Sequence, residues 1–274
     1  MPTARRLSDR FLVRGSGWGG LSGLDPADTS GLAVSKEVAV ERARELNREL
    51  EGLQERLWAA RRERLLVVLQ GIDTSGKDGV IRQVFDGVNP LGVKVASFKA
   101  PTPEELAHDF LWRVHQRVPA AGEIVIFNRS HYEDVLVVRV HGLVPESVWS
   151  RRYDQIRDFE RLLTETGTTI VKLFLHLSRE EQRRRLQERL DDPAKRWKFD
   201  PRDLAERARW DDYRAAFDEA LARTSTDGAP WYVVPADRKW YRNLVAVTIL
   251  VETLRRLDLS PPTPSFDPAS IEID

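Results

Sequence analysis

The 274-residue chain contains no cysteine, so no disulfide, thiolate metal site or cysteine nucleophile can belong to its chemistry. It also lacks net charge. Its 43 Lys and Arg balance 43 Asp and Glu, so a polyanion must be met by a local cluster of cations rather than by the whole surface. No apolar run is long enough to cross a bilayer or to form the core of a secretory signal, although Arg5, Arg6 and Arg10 open the chain. Internal repeats and low-complexity tracts are absent too. These absences lead us to expect a cytoplasmic protein with neither membrane nor nucleic acid as its partner, long enough for one large α/β domain.

Residues 1–35 are rich in Gly, Ser, Asp and Pro and read as an irregular arm. From Lys36 to Arg64, Ala39, Ala43, Leu46, Leu50, Leu53 and Leu57 recur three or four residues apart, which predicts one long amphipathic helix. Five short β-rich runs follow, at 65–70, 93–98, 123–128, 169–177 and 231–235, separated by helical segments. Near-continuous apolar strands alternating with helices predict a five-stranded parallel sheet covered on both faces. Helix starts are marked by Thr102-Pro103-Glu104-Glu105, by Ser178 with Glu181, and by Asp200-Pro201 opening a helix to about Ala222.

The first strand, "LLVVLQ", runs directly into "GIDTSGKDG", which sets Gly71, Gly76 and Lys77 in GxxxxGK spacing. A helix face of Val80, Ile81, Val84, Phe85 and Val88 comes next. Strand, glycine turn and helix form the setting in which backbone N–H groups of Thr74, Ser75, Gly76 and Gly79 can nest an anion. The helix N-terminus and Lys77 add positive charge, so phosphate is the natural guest. Asp78 stands where a Ser or Thr hydroxyl would normally hold Mg²⁺, and Asp73 lies inside the loop. Two carboxylates beside a phosphate repel unless a divalent cation lies between them, so Mg²⁺ or Mn²⁺ is implied. Asp73 can also orient or deprotonate an attacking phosphate oxygen, or simply cap the turn.

Together with "FKAPTPEELAHDFLWRVH" (98–115), "FNRSHYEDVL" (127–136) and "PWYVVPADRKWYRNL" (230–244), this turn resembles the polyphosphate kinase 2 family. The resemblance implies a three-layer P-loop kinase-like fold with a helical lid. It also implies phosphoryl transfer between inorganic polyphosphate and AMP, ADP or ATP, with Mg²⁺ or Mn²⁺. Many family members carry Asp where this chain has Asn128, and Glu133 and Asp134 are expected to restore the missing charge, which makes Asp73, Asn128 and Glu133 the candidate metal ligands. "FNRSHYEDVL" looks like the subclass that accepts nucleoside monophosphates as well as diphosphates. Arg129 fits a phosphate clamp, since its planar fork holds two oxygens at once.

Between 178 and 202, nine Lys and Arg stand against six acids, broken by Pro193 and Pro201. In a P-loop kinase such a stretch, here about 183–209, acts as a lid that brings cations onto the transferred phosphoryl. Arg183 is the candidate catalytic arginine, and Lys195, Arg196 and Lys198 are the candidate polyphosphate contacts. Arg82, Lys94 and Lys99 are candidates for a polyphosphate track. His131 and Tyr132, next to the clamp arginine, are expected to touch nucleotide, as are Asp237, Lys239 and Arg242 after the fifth strand. Two other functions remain open at this level: an ATP-dependent nucleoside monophosphate kinase, and a phosphate-binding regulator that transfers nothing. The long helix and the apolar C-terminal helix offer packing surfaces, and because the family tends to assemble, a homo-oligomer is expected.

Overall fold

The strands form within a residue of where the apolar runs put them, and all pair in parallel. They are Arg64–Gln70 (β1), Val93–Ser97 (β2), Ile124–Asn128 (β3), Thr168–His176 (β4) and Trp231–Pro235 (β5), in the order β2-β3-β1-β4-β5. The computed structural model describes residues 7–14, 18–30, 35–267 and 270–273. β1 is central, its last six residues buried, with Leu69 level with Asn128 on one side and Leu173 on the other. The crevices beside its carboxyl end are where open parallel sheets bind ligands.

Side chains along β1 alternate between two cores. Leu65, Val67 and Leu69 face Lys36–Ala60 (α1), Lys77–Val84 (α2) and Lys239–Leu254 (α10). Leu66 and Val68 face Glu146–Glu165 (α6) and Trp210–Thr224 (α9). Helices thus cover both faces of the sheet, which is the three-layer arrangement read from the sequence. The arm at the chain start adds a rung to the sheet. Val13 N–H donates to Trp231 O at 2.9 Å and Val233 N–H to Phe11 O at 2.8 Å, beside an antiparallel bridge between Leu12 and Tyr232.

Local chemistry moves several predicted helix ends. The first helix stops at Ala60, not at residue 64, because Arg61 takes a left-handed φ of 48°. The capping box of Thr102 and Glu105 forms, but its helix, Pro103–Leu106 (α3), stops early. The Asp109 carboxylate then accepts from Leu111 N–H at 2.9 Å, an Asx turn that competes with helix, and Trp112–His115 (α4) restarts beyond it. Val137–Val140 (α5) precedes α6, and Arg179–Asp191 (α7) follows β4. The helix expected from Asp200 divides into Arg202–Ala208 (α8) and α9, with Arg209 at the break donating to Val140 O at 2.8 Å. Among the described residues, no helix is long and apolar enough to cross a membrane.

Candidate active site

The glycine turn leaves β1 at Gly71, and its backbone explains the glycines. Gly71 has φ 152°, and a Cβ there would lie 2.7 Å from Ser75 Oγ. Gly76 has φ 99°, and a Cβ there would meet Arg242 Nη1 at 1.9 Å. Only glycine fits either place. Thr74 and Arg129 also take positive φ, 67° and 61°, a strain that non-glycine residues carry chiefly where function requires it. Arg129 continues the β3 pairing through its N–H to Leu69 O at 3.1 Å and then turns its side chain back towards the loop.

There the guanidinium donates to Asp73 Oδ1 at 3.0 Å. Beside it, Asn128 Nδ2 donates to Asp78 Oδ1 at 2.7 Å. Lys77 Nζ donates to Gly71 O at 2.7 Å and to Ile72 O at 3.4 Å, so its ammonium is held by loop carbonyls. Burial holds the Lys77 pKa below its ordinary value, against the pull of Asp73. Burial pushes the Glu133 carboxyl up, opposed by Arg129 and Lys77. Arg129 loses hydration too, but Glu133 and Asp73 outweigh that loss and leave its pKa raised. The result is a network of two cations and two carboxylates with no spare charge, which an incoming phosphate must rearrange.

Asp73, Asn128, Arg129, Glu133 and Lys99 line one cavity of about 670 Å³ at the carboxyl ends of β1, β2 and β3. Its far wall comes from Gln182 of α7, from Arg202, Asp203, Glu206 and Arg207 of α8, and from Trp210, Tyr213 and Phe217 of α9. Ile72, Phe98, Leu136 and Val137 supply apolar surface. One cavity therefore joins a cationic phosphate end to an aromatic side able to take a flat ring. As for a metal, no cluster of three or more His, Asp or Glu that could hold an ion occurs among the described residues. Mg²⁺ asks for less: one or two carboxylates, with substrate phosphates and water completing six oxygens. Asp73 and Glu133, with the Asn128 amide oxygen, are hard donors of that kind and fit it.

The model of the polyphosphate kinase 2 family matches residues 33–260. The chain belongs to the polyphosphate kinase 2 family. It is 56% identical over 265 residues to an AMP/ADP-polyphosphate phosphotransferase of Meiothermus ruber, covering 97% of this chain and 99% of that protein. It is also 46% identical over 240 residues to an ADP-polyphosphate phosphotransferase of Rhodopseudomonas palustris, covering 83% of each. Among solved structures it resembles polyphosphate kinase 2 from Arthrobacter aurescens with a TM-score of 0.93 at 46% identity, covering 97% of this chain and 95% of that one.

Within this family member, several residues expected at the site lie elsewhere. His131 and Tyr132 are fully buried, which corrects their expected contact with nucleotide. Apolar packing and a polar cluster take them inward. Tyr132 Oη donates to Glu160 Oε1 at 2.8 Å, and Lys172 Nζ donates to Tyr132 Oη at 2.9 Å and to Glu160 Oε2 at 2.5 Å. Arg242 is buried behind the loop, donating to Ser75 O at 3.3 Å and to Asn243 Oδ1 at 2.8 Å, so it too is removed from nucleotide contact. Burial and nearby Arg185 lower its pKa to about 10. Asp134 faces away from the cavity and accepts from Arg152 at 2.8 Å, so only Glu133 can compensate for Asn128.

The charged candidates outside the cavity are mostly paired locally. Arg183 is exposed and lies 3.8 Å from Glu180, while Lys195 pairs with Asp192 at 2.8 Å. Arg196 donates to Leu190 O at 2.8 Å, and Lys198 sits 5.0 Å from the Trp197 ring. None of these four lines the cavity in this conformation. Lys94 pairs with Glu123, Arg82 is exposed on α2, and Asp237 accepts from Ser178 N–H at 2.8 Å. Lys239 is 3.9 Å from Glu188. The arginines that do reach the cavity, Arg202 and Arg207, were not singled out from sequence. A signal existed: positions 203, 206, 207, 210, 213 and 217 recur at helical spacing and form one wall.

Proposed function

We propose that this chain transfers a phosphoryl group from inorganic polyphosphate to AMP and ADP, forming ADP and ATP, and runs the reaction in both directions. The observation that carries the proposal is the 56% identity, across nearly the whole of both chains, to the AMP/ADP-polyphosphate phosphotransferase of Meiothermus ruber. The cavity supports it chemically. Loop N–H groups and Lys77 cradle phosphate oxygens, Arg129 exchanges Asp73 for the transferred group, and Asp73 orients the attacking oxygen. The aromatic wall of Trp210, Tyr213 and Phe217 faces the nucleoside.

Mg²⁺ or Mn²⁺, held by Asp73, Glu133 and the Asn128 oxygen with the phosphates, neutralises charge between donor and acceptor. Residues 183–209 act as the lid. Its closure moves Arg183, Lys195, Arg196 and Lys198 from their local partners towards the polyphosphate and excludes water, which would otherwise compete as acceptor. The reaction belongs in the cytoplasm, where the nucleotides are, and the protein works as a homo-oligomer packed through α1 and α10.

Incubation with AMP, Mg²⁺ and polyphosphate, with ATP left out, tests the proposal: ADP appears first and ATP after it. Silence that added ATP relieves would make the protein an ordinary nucleoside monophosphate kinase. No turnover with either donor, alongside polyphosphate binding, would make it a phosphate-binding regulator.

A further inference from the structure

Behind the phosphate turn, three successive carbonyls are held by side chains of one neighbouring helix. Gln182 Nε2 of α7 donates to Asp73 O at 3.1 Å. One helical turn on, Arg185 Nη1 donates to Thr74 O at 2.9 Å and to Ser75 O at 3.2 Å. Its Nη2 reaches Ala236 O at 2.6 Å and Asp237 O at 3.0 Å beyond β5, and its Nε reaches Glu181 Oε1 at 2.7 Å. Arg185 is 5% exposed and Gln182 3%. Each guanidinium N–H direction is thus spent on a backbone or carboxylate oxygen, in a geometry that no other side chain can reproduce.

A planar trans peptide points its N–H opposite to its C=O. Fixing the carbonyls of Asp73 and Ser75 from behind therefore fixes the N–H groups of Thr74 and Gly76 on the opposite side of the loop. The Ser75 N–H is already spent inside the loop, on Ile72 O at 3.1 Å. Gln182 is itself gripped from the cavity side, since Arg207 of α8 donates to its Oε1 at 2.8 Å and to Arg179 O at 2.7 Å. A continuous path of hydrogen bonds runs from the cavity wall, through Arg207 and Gln182, into the phosphate turn.

We propose that Gln182 and Arg185 are positioning residues for phosphoryl transfer: they aim the N–H groups of the glycine turn and tie that aim to the seating of α8 through Arg207. The inference rests on the phosphotransfer reading above and deepens it. It assigns α7 a second task, so that the helix leading into the lid also forms the rear support of the phosphate cradle. Arg207 then acts partly through Gln182, not only on what occupies the cavity.

The test uses the full chain and its variants Q182A, R185K, R207A and Q182A/R207A. We measure kcat and KM for AMP with polyphosphate and Mg²⁺, thermal midpoints, and amide hydrogen exchange over 71–79. Q182A and R185K should lose roughly tenfold or more in kcat at a temperature where each is fully folded, with exchange over 71–79 faster than in the parent. R207A should cost much less in the Q182A background than alone, the signature of coupled residues. R185K might fold poorly, and Q182A, which removes only an amide, keeps the test decisive. Wild-type kcat and unchanged exchange in Q182A, or losses from Q182A and R207A that simply add, would overturn the proposal. Absence of transfer in the parent chain would instead defeat the phosphotransfer reading, while the exchange data would still judge the positioning role.

Discussion

Arg129 and Asp73 meet at 3.0 Å across the mouth of the phosphate turn, each partly open to solvent. A pair so exposed adds only about 0–1 kcal/mol to stability, so its value lies in what displaces it. D73N removes the carboxylate that orients the acceptor and balances the metal, and should cost roughly a hundredfold or more in kcat. Its melting temperature should stay within about 4 °C of the parent. Steady-state rates and a thermal scan check both halves, and near-normal kcat would remove Asp73 from the mechanism.

Asn128 and Asp78 sit 2.7 Å apart with the amide as donor. In N128D that contact becomes two facing carboxylates, which either share a proton or recruit a cation. The ratio of kcat/KM for AMP to that for ADP should change, together with the Mg²⁺ concentration needed for half-maximal rate. An unchanged ratio would exclude Asn128 from acceptor choice.

Lys77 contributes charge at a site where burial already disfavours it. K77A should therefore abolish transfer while leaving the thermal midpoint equal to or above that of the parent. Full activity in K77A would refute the phosphate cradle.

Asp134 gives a pH signature. Burial raises its carboxyl from 3.8 to about 6, with Arg152 and Arg113 opposing. Below pH 4 both folded and unfolded chains carry the proton, and the group's stabilising contribution is complete. As pH rises towards 6 the unfolded chain ionises first, and that contribution is lost, about 3 kcal/mol for a shift of this size. D134N stays neutral throughout. Its melting temperature relative to the parent should therefore climb from pH 4 to 6 and level off above, and thermal scans across that range should show it. A difference that is flat or falls would contradict the assignment.

The strands were legible because β1, β3 and β4 are apolar on both faces, and the turn was legible because GxxxxGK after a strand admits few other readings. Strand order was not, since pairing partners lie far apart in sequence. Charge misled in both directions. Arg183, Lys195, Arg196 and Lys198 stood out by number and lie on local partners or solvent, whereas Arg185 and Arg242, in similar surroundings of sequence, are buried behind the loop. His131 and Tyr132 flank a clamp arginine in sequence, but Arg129 takes a left-handed φ and the chain turns the next two side chains into the core. Proximity in sequence gave no warning of that turn. The cavity wall from α8 and α9 was missed because its residues are ordinary helix-face types, recognisable only once the two helices are seen opposite β1.

Phosphoryl transfer from polyphosphate to AMP is tested most directly with labelled donor. Polyphosphate carrying ³²P, incubated with unlabelled AMP and Mg²⁺ and no other nucleotide, should place label first in the β-phosphate of ADP and then in the γ-phosphate of ATP. K77A under the same conditions should leave all label in the polymer. Label released only as inorganic phosphate, or none moved until ATP is supplied, would contradict the account.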